Sequence, residues 1–213
     1  EQRKRLAVIG LNLAAHTANS GDFGGADTVA RESVAALDEL FRRYPERLEY
    51  GYFFGVALSI HSGIATELGR LDEAEANSTR AVELLREALE ATGGHAGVKA
   101  GLASALFMRA SARRAAGELE TALELVVEGR QHTTGRPDVL YECVEVLGKI
   151  SVAARKGGAA AVEGRARELG VEMLAAAIQG GFDDATRLRN APELSVLRED
   201  PRFDELLRKL ENH

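Results

Sequence analysis

The sequence predicts an all-α fold, an α-solenoid of stacked helical hairpins with a C-terminal helical cap. Two observations carry the prediction: a short string of similar pattern occurs three times, and apolar residues around it recur at helical spacings of three and four. The 213 residues include only 4 prolines and no tryptophan. Together with the scarcity of β-branched runs, this composition disfavours an all-β fold.

The three strings are GDFGGA, GRLDEA and GELETA, and their first residues, Gly21, Gly69 and Gly117, are 48 residues apart. A glycine can end a helix because it adopts the left-handed C′ conformation without steric cost. The alanine that closes each string begins the buried stripe of the following helix. Two helices per unit, repeated in register, predict a solenoid, whereas chance similarity within an ordinary helical bundle is the alternative.

The 48-residue register continues on both sides of the strings. The apolar stripe after the first glycine has an equivalent after the second: Ala26, Ala30, Val34, Leu37 and Phe41 correspond to Ala74, Ser78, Val82, Leu85 and Leu89. Equivalent positions before the glycines are Leu6, Phe54 and Leu102, then Gly10, Leu58 and Leu106, and then the small residues Ala14, Ser62 and Ala110.

Glycine and proline breaks divide the chain into helices. We expect helices near 3–19, 24–43, 46–68, 72–91, 96–115, 118–132, 137–155 and 159–178. Pro45 and Pro137 suit the first turn of a helix, where a missing N–H is no loss. The predicted repeat region is 1–180, with units at about 3–44, 46–92, 95–134 and 137–179, and 181–213 forms the predicted cap.

The tail has the features of a cap for the last repeat. Asp200 is a suitable N-cap and Pro201 a suitable first helical residue. The following apolar stripe would cover the last repeat helix: Phe203, Leu206, Leu207 and Leu210 would face Val171, Leu174 and Ile178. A shorter helix is expected from Asn190-Ala191-Pro192, and the pair Asp183-Asp184 is expected to cap a helix.

The spacing of small residues resembles that of the tetratricopeptide repeat, and the string LGRLDEAEANSTRAVELL at 68–85 matches it best. That family has two helices per unit, usually in 34 residues, so a 48-residue unit is a long variant. The resemblance covers about residues 3–180 and implies a tetratricopeptide-like α-solenoid that binds protein or peptide partners. The family's clamp for a peptide carboxylate is not supported, because Leu11 and Ala15 occupy its lysine and asparagine positions.

The C-terminal stretch resembles tails of helical-repeat regions appended to bacterial, planctomycete-type Ser/Thr protein kinases. Gly181-Phe182-Asp183 and the segment LREDPRF at 197–203 carry this resemblance. It implies an accessory region of a larger signalling protein and no kinase activity in this chain. The chain starts at Glu1 without a signal-peptide pattern, so we expect an excised segment or a processed chain. A cytoplasmic location is expected, with an extracytoplasmic one left open if the segment follows a membrane span.

Composition and motifs argue against several functions. The formal net charge of -6 and a pI of about 5.5 disfavour nucleic-acid binding, and no run approaches the roughly 18 apolar residues of a membrane helix. There is neither a phosphate-binding loop nor a kinase signature. The five histidines lack zinc-site spacing, and Cys143 is expected to be a packed thiol. We expect no catalysis, cofactor or metal.

The concave face of the solenoid is the expected peptide-binding groove, because the first helix of each unit lines it. We expect Phe107 to anchor an apolar side chain, with arginines beside it to hold carboxylates. An alternative is that these arginines are solvated and pair with Glu118, Glu120 or Glu124. The candidate groove residues are Asn19, Ser59, Phe107, Arg109, Ser111, Arg113, Arg114 and Arg155.

These observations predict a non-catalytic protein-interaction scaffold whose partner is a protein or peptide. The alternative is a structural or self-association module whose exposed helix edges pair two chains as a homodimer.

Overall fold

The computed structural model describes residues 2–133 and 135–211, and within these ranges it contains helices and no β-strand. The fold is an all-α solenoid of helical hairpins closed by a C-terminal cap, as the sequence predicts. The predicted end of the third unit at Thr134, the first residue of the predicted repeat region and the last two residues of the predicted cap lie outside the described residues.

Eight long helices form four consecutive hairpins, and each hairpin packs against the next. Their bounds are α1 Gln2–Asn19, α2 Phe23–Arg43, α3 Leu48–Glu67, α4 Leu71–Ala91, α5 Ala96–Ala115, α6 Leu119–Arg130, α7 Pro137–Lys156 and α8 Ala160–Gln179. These bounds agree with the predicted ones to within two residues. The prediction for Pro45 was wrong, because Pro45 lies in the turn before Leu48, whereas Pro137 does begin α7.

The repeated glycines end the first helix of each hairpin. Gly21, Gly69 and Gly117 have φ angles of 89°, 74° and 85°, a region that favours glycine. At the second of these turns the N–H of Gly69 donates to the carbonyl of Thr66, and the N–H of Arg70 donates to the carbonyl of Ala65 at 2.9 Å. This pattern satisfies carbonyls that the helix end would leave unpaired.

Small residues allow the two helices of each hairpin to approach closely. Ala26, Ala74 and Ala122 begin the buried stripes of the first three second helices, and each is fully buried. The side chain of Ser62 on α3 donates to the carbonyl of Ala74 at 2.8 Å. Two large apolar clusters, one shared by the first three hairpins and one by the last two, form the core along the solenoid.

The segment after α8 folds back over the last hairpin as a cap. It consists of α9 Ala185–Asn190, two 3₁₀ turns at Pro192–Leu194 and Leu197–Glu199, and α10 Pro201–Glu211. The prediction of one short helix from Asn190 was wrong, because this stretch divides into the end of α9 and two 3₁₀ turns. Asp184 caps α9 by accepting from the N–H of Arg187 at 2.8 Å, and Pro201 begins α10 as predicted.

The cap shares a continuous apolar cluster with α7 and α8. Phe203 is fully buried in this cluster together with Leu174 and Leu197. Arg198 fastens the cap internally, because its guanidinium donates to the carbonyls of Leu188 and Ala191 at 2.9 and 2.8 Å. The apolar face of the last repeat helix is therefore covered.

Candidate functional site

The predicted aromatic anchor of the groove is a core residue. Phe107 is 0% exposed and belongs to the apolar cluster between the third and fourth hairpins. Its ring lies against Gly129 of α6, where a Cβ atom would come within 2.6 Å of the ring. Phe107 therefore faces α6 instead of the concave side, and the expectation that it anchors a ligand was wrong.

The other uncharged candidates do not gather at one place. Ser59 and Ser111 are buried, with 4% and 8% of their surface exposed, so neither lines an open groove. Asn19 is exposed at the last residue of α1, two hairpins away from α5. The structure therefore does not bring the three together as a binding surface.

The arginines of α5 pair with neighbouring carboxylates. Arg109 and Arg113 both approach Glu75 of α4, and Arg113 also donates to Glu118 at 2.8 Å. The alternative of local pairing therefore holds for Arg113. Arg114 is half-buried, and its Nε is a buried donor for which the described residues supply no acceptor.

Arg155 belongs to the contact between the repeats and the cap. Its guanidinium donates to Glu163 of α8 and to Glu199 of the second 3₁₀ turn, each at 2.7 Å. Hydrogen bonds with Glu199 and Glu163 raise the pKa of Arg155 above its usual range. The expectation that Arg155 lines a groove was therefore wrong, because its donors are directed at the cap.

A polar cluster between the first two hairpins surrounds the buried side chain of His61. His61 Nε2 lies 2.9 Å from Asp27 Oδ1, and His61 Nδ1 lies 3.1 Å from the amide nitrogen of Asn77. Because the NH2 group of Asn77 can only donate, Nδ1 accepts and Nε2 donates to Asp27. Both ring nitrogens are thus occupied, as a structural histidine requires.

Asp27 is the centre of this cluster. Burial raises the pKa of its carboxyl, but hydrogen bonds from Arg70, Arg31 and His61 outweigh burial and lower the pKa to about 2. The next interface has an equivalent pair, because Glu75 and Arg109 stand 48 residues after Asp27 and His61. These pairs were missed by the sequence analysis. The signal that could have identified them is that an acidic and a basic residue recur together 48 residues later in the chain.

Polar contacts link α5 and its two neighbouring first helices, α3 and α7. Lys149 of α7 and Glu67 of α3 form an ion pair at 3.1 Å, which joins the helices on either side of α5. Ser104 of α5 donates to Glu142 of α7 at 2.7 Å. Burial, reinforced by the negative charges of Glu145 and Asp138, raises the pKa of Glu142 to about 7 despite the Ser104 hydrogen bond.

The most exposed large apolar side chains lie on α1. Leu6, Ile9 and Leu13 are 61%, 63% and 52% exposed, and their spacing of three and four places them on one face. We name these three residues the α1 stripe. Contiguous exposed apolar surface of this kind marks interaction sites more often than isolated apolar residues do.

The cysteine of the chain is enclosed in the core. Cys143 is fully buried, and burial raises the pKa of its thiol, so the reactive thiolate is disfavoured. Within residues 2–133 and 135–211, no three His, Cys, Asp or Glu side chains are placed to hold a metal ion. No helix in the described part of the chain combines the length and the apolar character that crossing a membrane requires.

Models of known protein families give no match to this chain, and a search of curated proteins gives no significant relative.

Proposed function

We propose that the chain is a non-catalytic protein-interaction scaffold that uses the exposed face of α1 as its contact surface. The observation that carries this proposal is the α1 stripe, in which three large aliphatic side chains are each more than half exposed. Burying such side chains gains about 25 cal/mol per Å² of apolar area. A partner that covers the stripe would gain that free energy.

The charged and polar side chains between the hairpins have a structural role, which is consistent with a scaffold. Arg109 and Arg113 on α5 and Arg155 on α7 pair with glutamates. Both ring nitrogens of His61 have partners. These groups hold neighbouring repeats together and leave the helix surfaces available for contacts.

The proposed context is a tetratricopeptide-like accessory region of a larger bacterial signalling protein in the cytoplasm, such as a Ser/Thr kinase. It is supported by the resemblance of the tail, whose matching residues have physical roles in the cap. Phe182 stacks on Tyr141 with ring centroids 4.3 Å apart, and Leu197 and Phe203 are fully buried. Such a tail would close a repeat array on any parent protein.

The second candidate function is self-association, which the α1 stripe also favours. Two chains could bury their stripes against each other around a two-fold axis. Light scattering on the eluting protein separates the two functions, since a scaffold is monomeric without its partner.

Affinity capture from an extract of the source organism tests the proposal. The parent is compared with a Leu6→Gln, Ile9→Glu variant and with a control variant, Ala35→Glu, Thr121→Glu, whose changes lie at exposed positions elsewhere. We expect the stripe variant to lose at least about tenfold in captured partner, while the control retains it. Equal capture by all three proteins would exclude the stripe as the contact surface.

A further inference from the structure

We draw no further inference here: the strongest candidate, the cluster of acidic side chains around Glu142 on α7, carries nothing because the hydrogen bond from Ser104 of α5 accounts for the position of the Glu142 carboxyl, and its raised pKa alone does not identify a ligand.

Discussion

The two ends of the solenoid differ in what covers their apolar faces. At the C-terminal end, Leu174 of α8 and Phe203 of α10 are both fully buried in the cluster that joins the last hairpin to the cap. At the N-terminal end, the three residues of the α1 stripe are each more than half exposed. Helical repeats bury their faces only against neighbours, and the described chain supplies a neighbour at one end.

This difference indicates where stability resides, and it is the basis of the proposed contact surface on α1. Apolar surface covered by the cap contributes to the free energy of unfolding, whereas the α1 stripe contributes little to it and is available to a partner. Substitutions at the two ends should therefore differ in their effects on the free energy of unfolding, which should be large at the cap and small on α1.

The largest effect is expected from Phe203→Ala. Removing a fully buried phenylalanine should lower the free energy of unfolding by about 3–5 kcal/mol, whereas Ile9→Ala on the exposed stripe should change it by less than about 0.5 kcal/mol. Urea denaturation of both variants measures the two values. Equal losses would show that α1 is as covered as the cap.

A smaller effect is expected at the polar cluster between the first two hairpins. Asp27→Leu should cost roughly 2 kcal/mol, because Arg70 and His61 lose the carboxylate that they bind. The double variant Asp27→Leu, His61→Leu should recover part of the loss, since it makes this interface apolar. The contact between the last two hairpins is apolar in this way, with Leu123 and Ile150 in one buried cluster. A double variant that is no more stable than Asp27→Leu alone would contradict this account.

The pH dependence of stability tests Asp27 in the parent chain. The pKa of Asp27 is lowered to about 2 in the folded state, so its contribution is present above about pH 4 and is lost as the pH falls toward 2. Thermal melts across this range should show a steeper loss in the parent than in Asp27→Leu. Parallel curves would exclude the ionised carboxylate as a stabilising group.

The smallest stability effect, with the opposite sign, is expected at Glu142. The pKa of the Glu142 carboxyl is raised to about 7 in the folded protein. The folded state therefore favours the protonated carboxyl, and the free energy of unfolding falls as the pH rises from about 4.5 to 7. Glu142→Gln should therefore stabilise the protein by about 1–2 kcal/mol at pH 8 and have little effect at pH 4.5. A melting temperature at pH 8 that does not rise would contradict the assignment.

The sequence was sufficient to predict the helices and their register, because glycine breaks and the spacing of small residues are local signals. It was not sufficient to predict the surroundings of the candidate groove residues. Periodicity placed Phe107 on a first helix without showing that Gly129 opens a space for its ring on α6. The partner of Arg109 was missed because Glu75 lies 34 residues away in the sequence.

The α1 stripe shows a different limit of sequence reasoning. Leu6 stands in the same register as Phe54 and Leu102, and all three are apolar, so the sequence pattern is that of a buried face. Their exposure differs because, in the described chain, α2 packs against α3 and α4 packs against α5. Whether a position is buried thus depends on the neighbouring unit and not on the local pattern.

Thiol accessibility at equivalent positions tests most directly the claim that the face of α1 is open. Ile9→Cys, Ala57→Cys and Ala105→Cys introduce thiols at the same register in three hairpins, with native Cys143 as a buried internal reference. Under native conditions a thiol reagent should label the thiol of Ile9→Cys within about tenfold of the rate for an unfolded chain. Labelling at the other two positions should be slower by at least about a thousandfold, because it requires opening of a packed interface. Equally slow labelling at all three positions would contradict the account, since the first hairpin would then be covered as the others are.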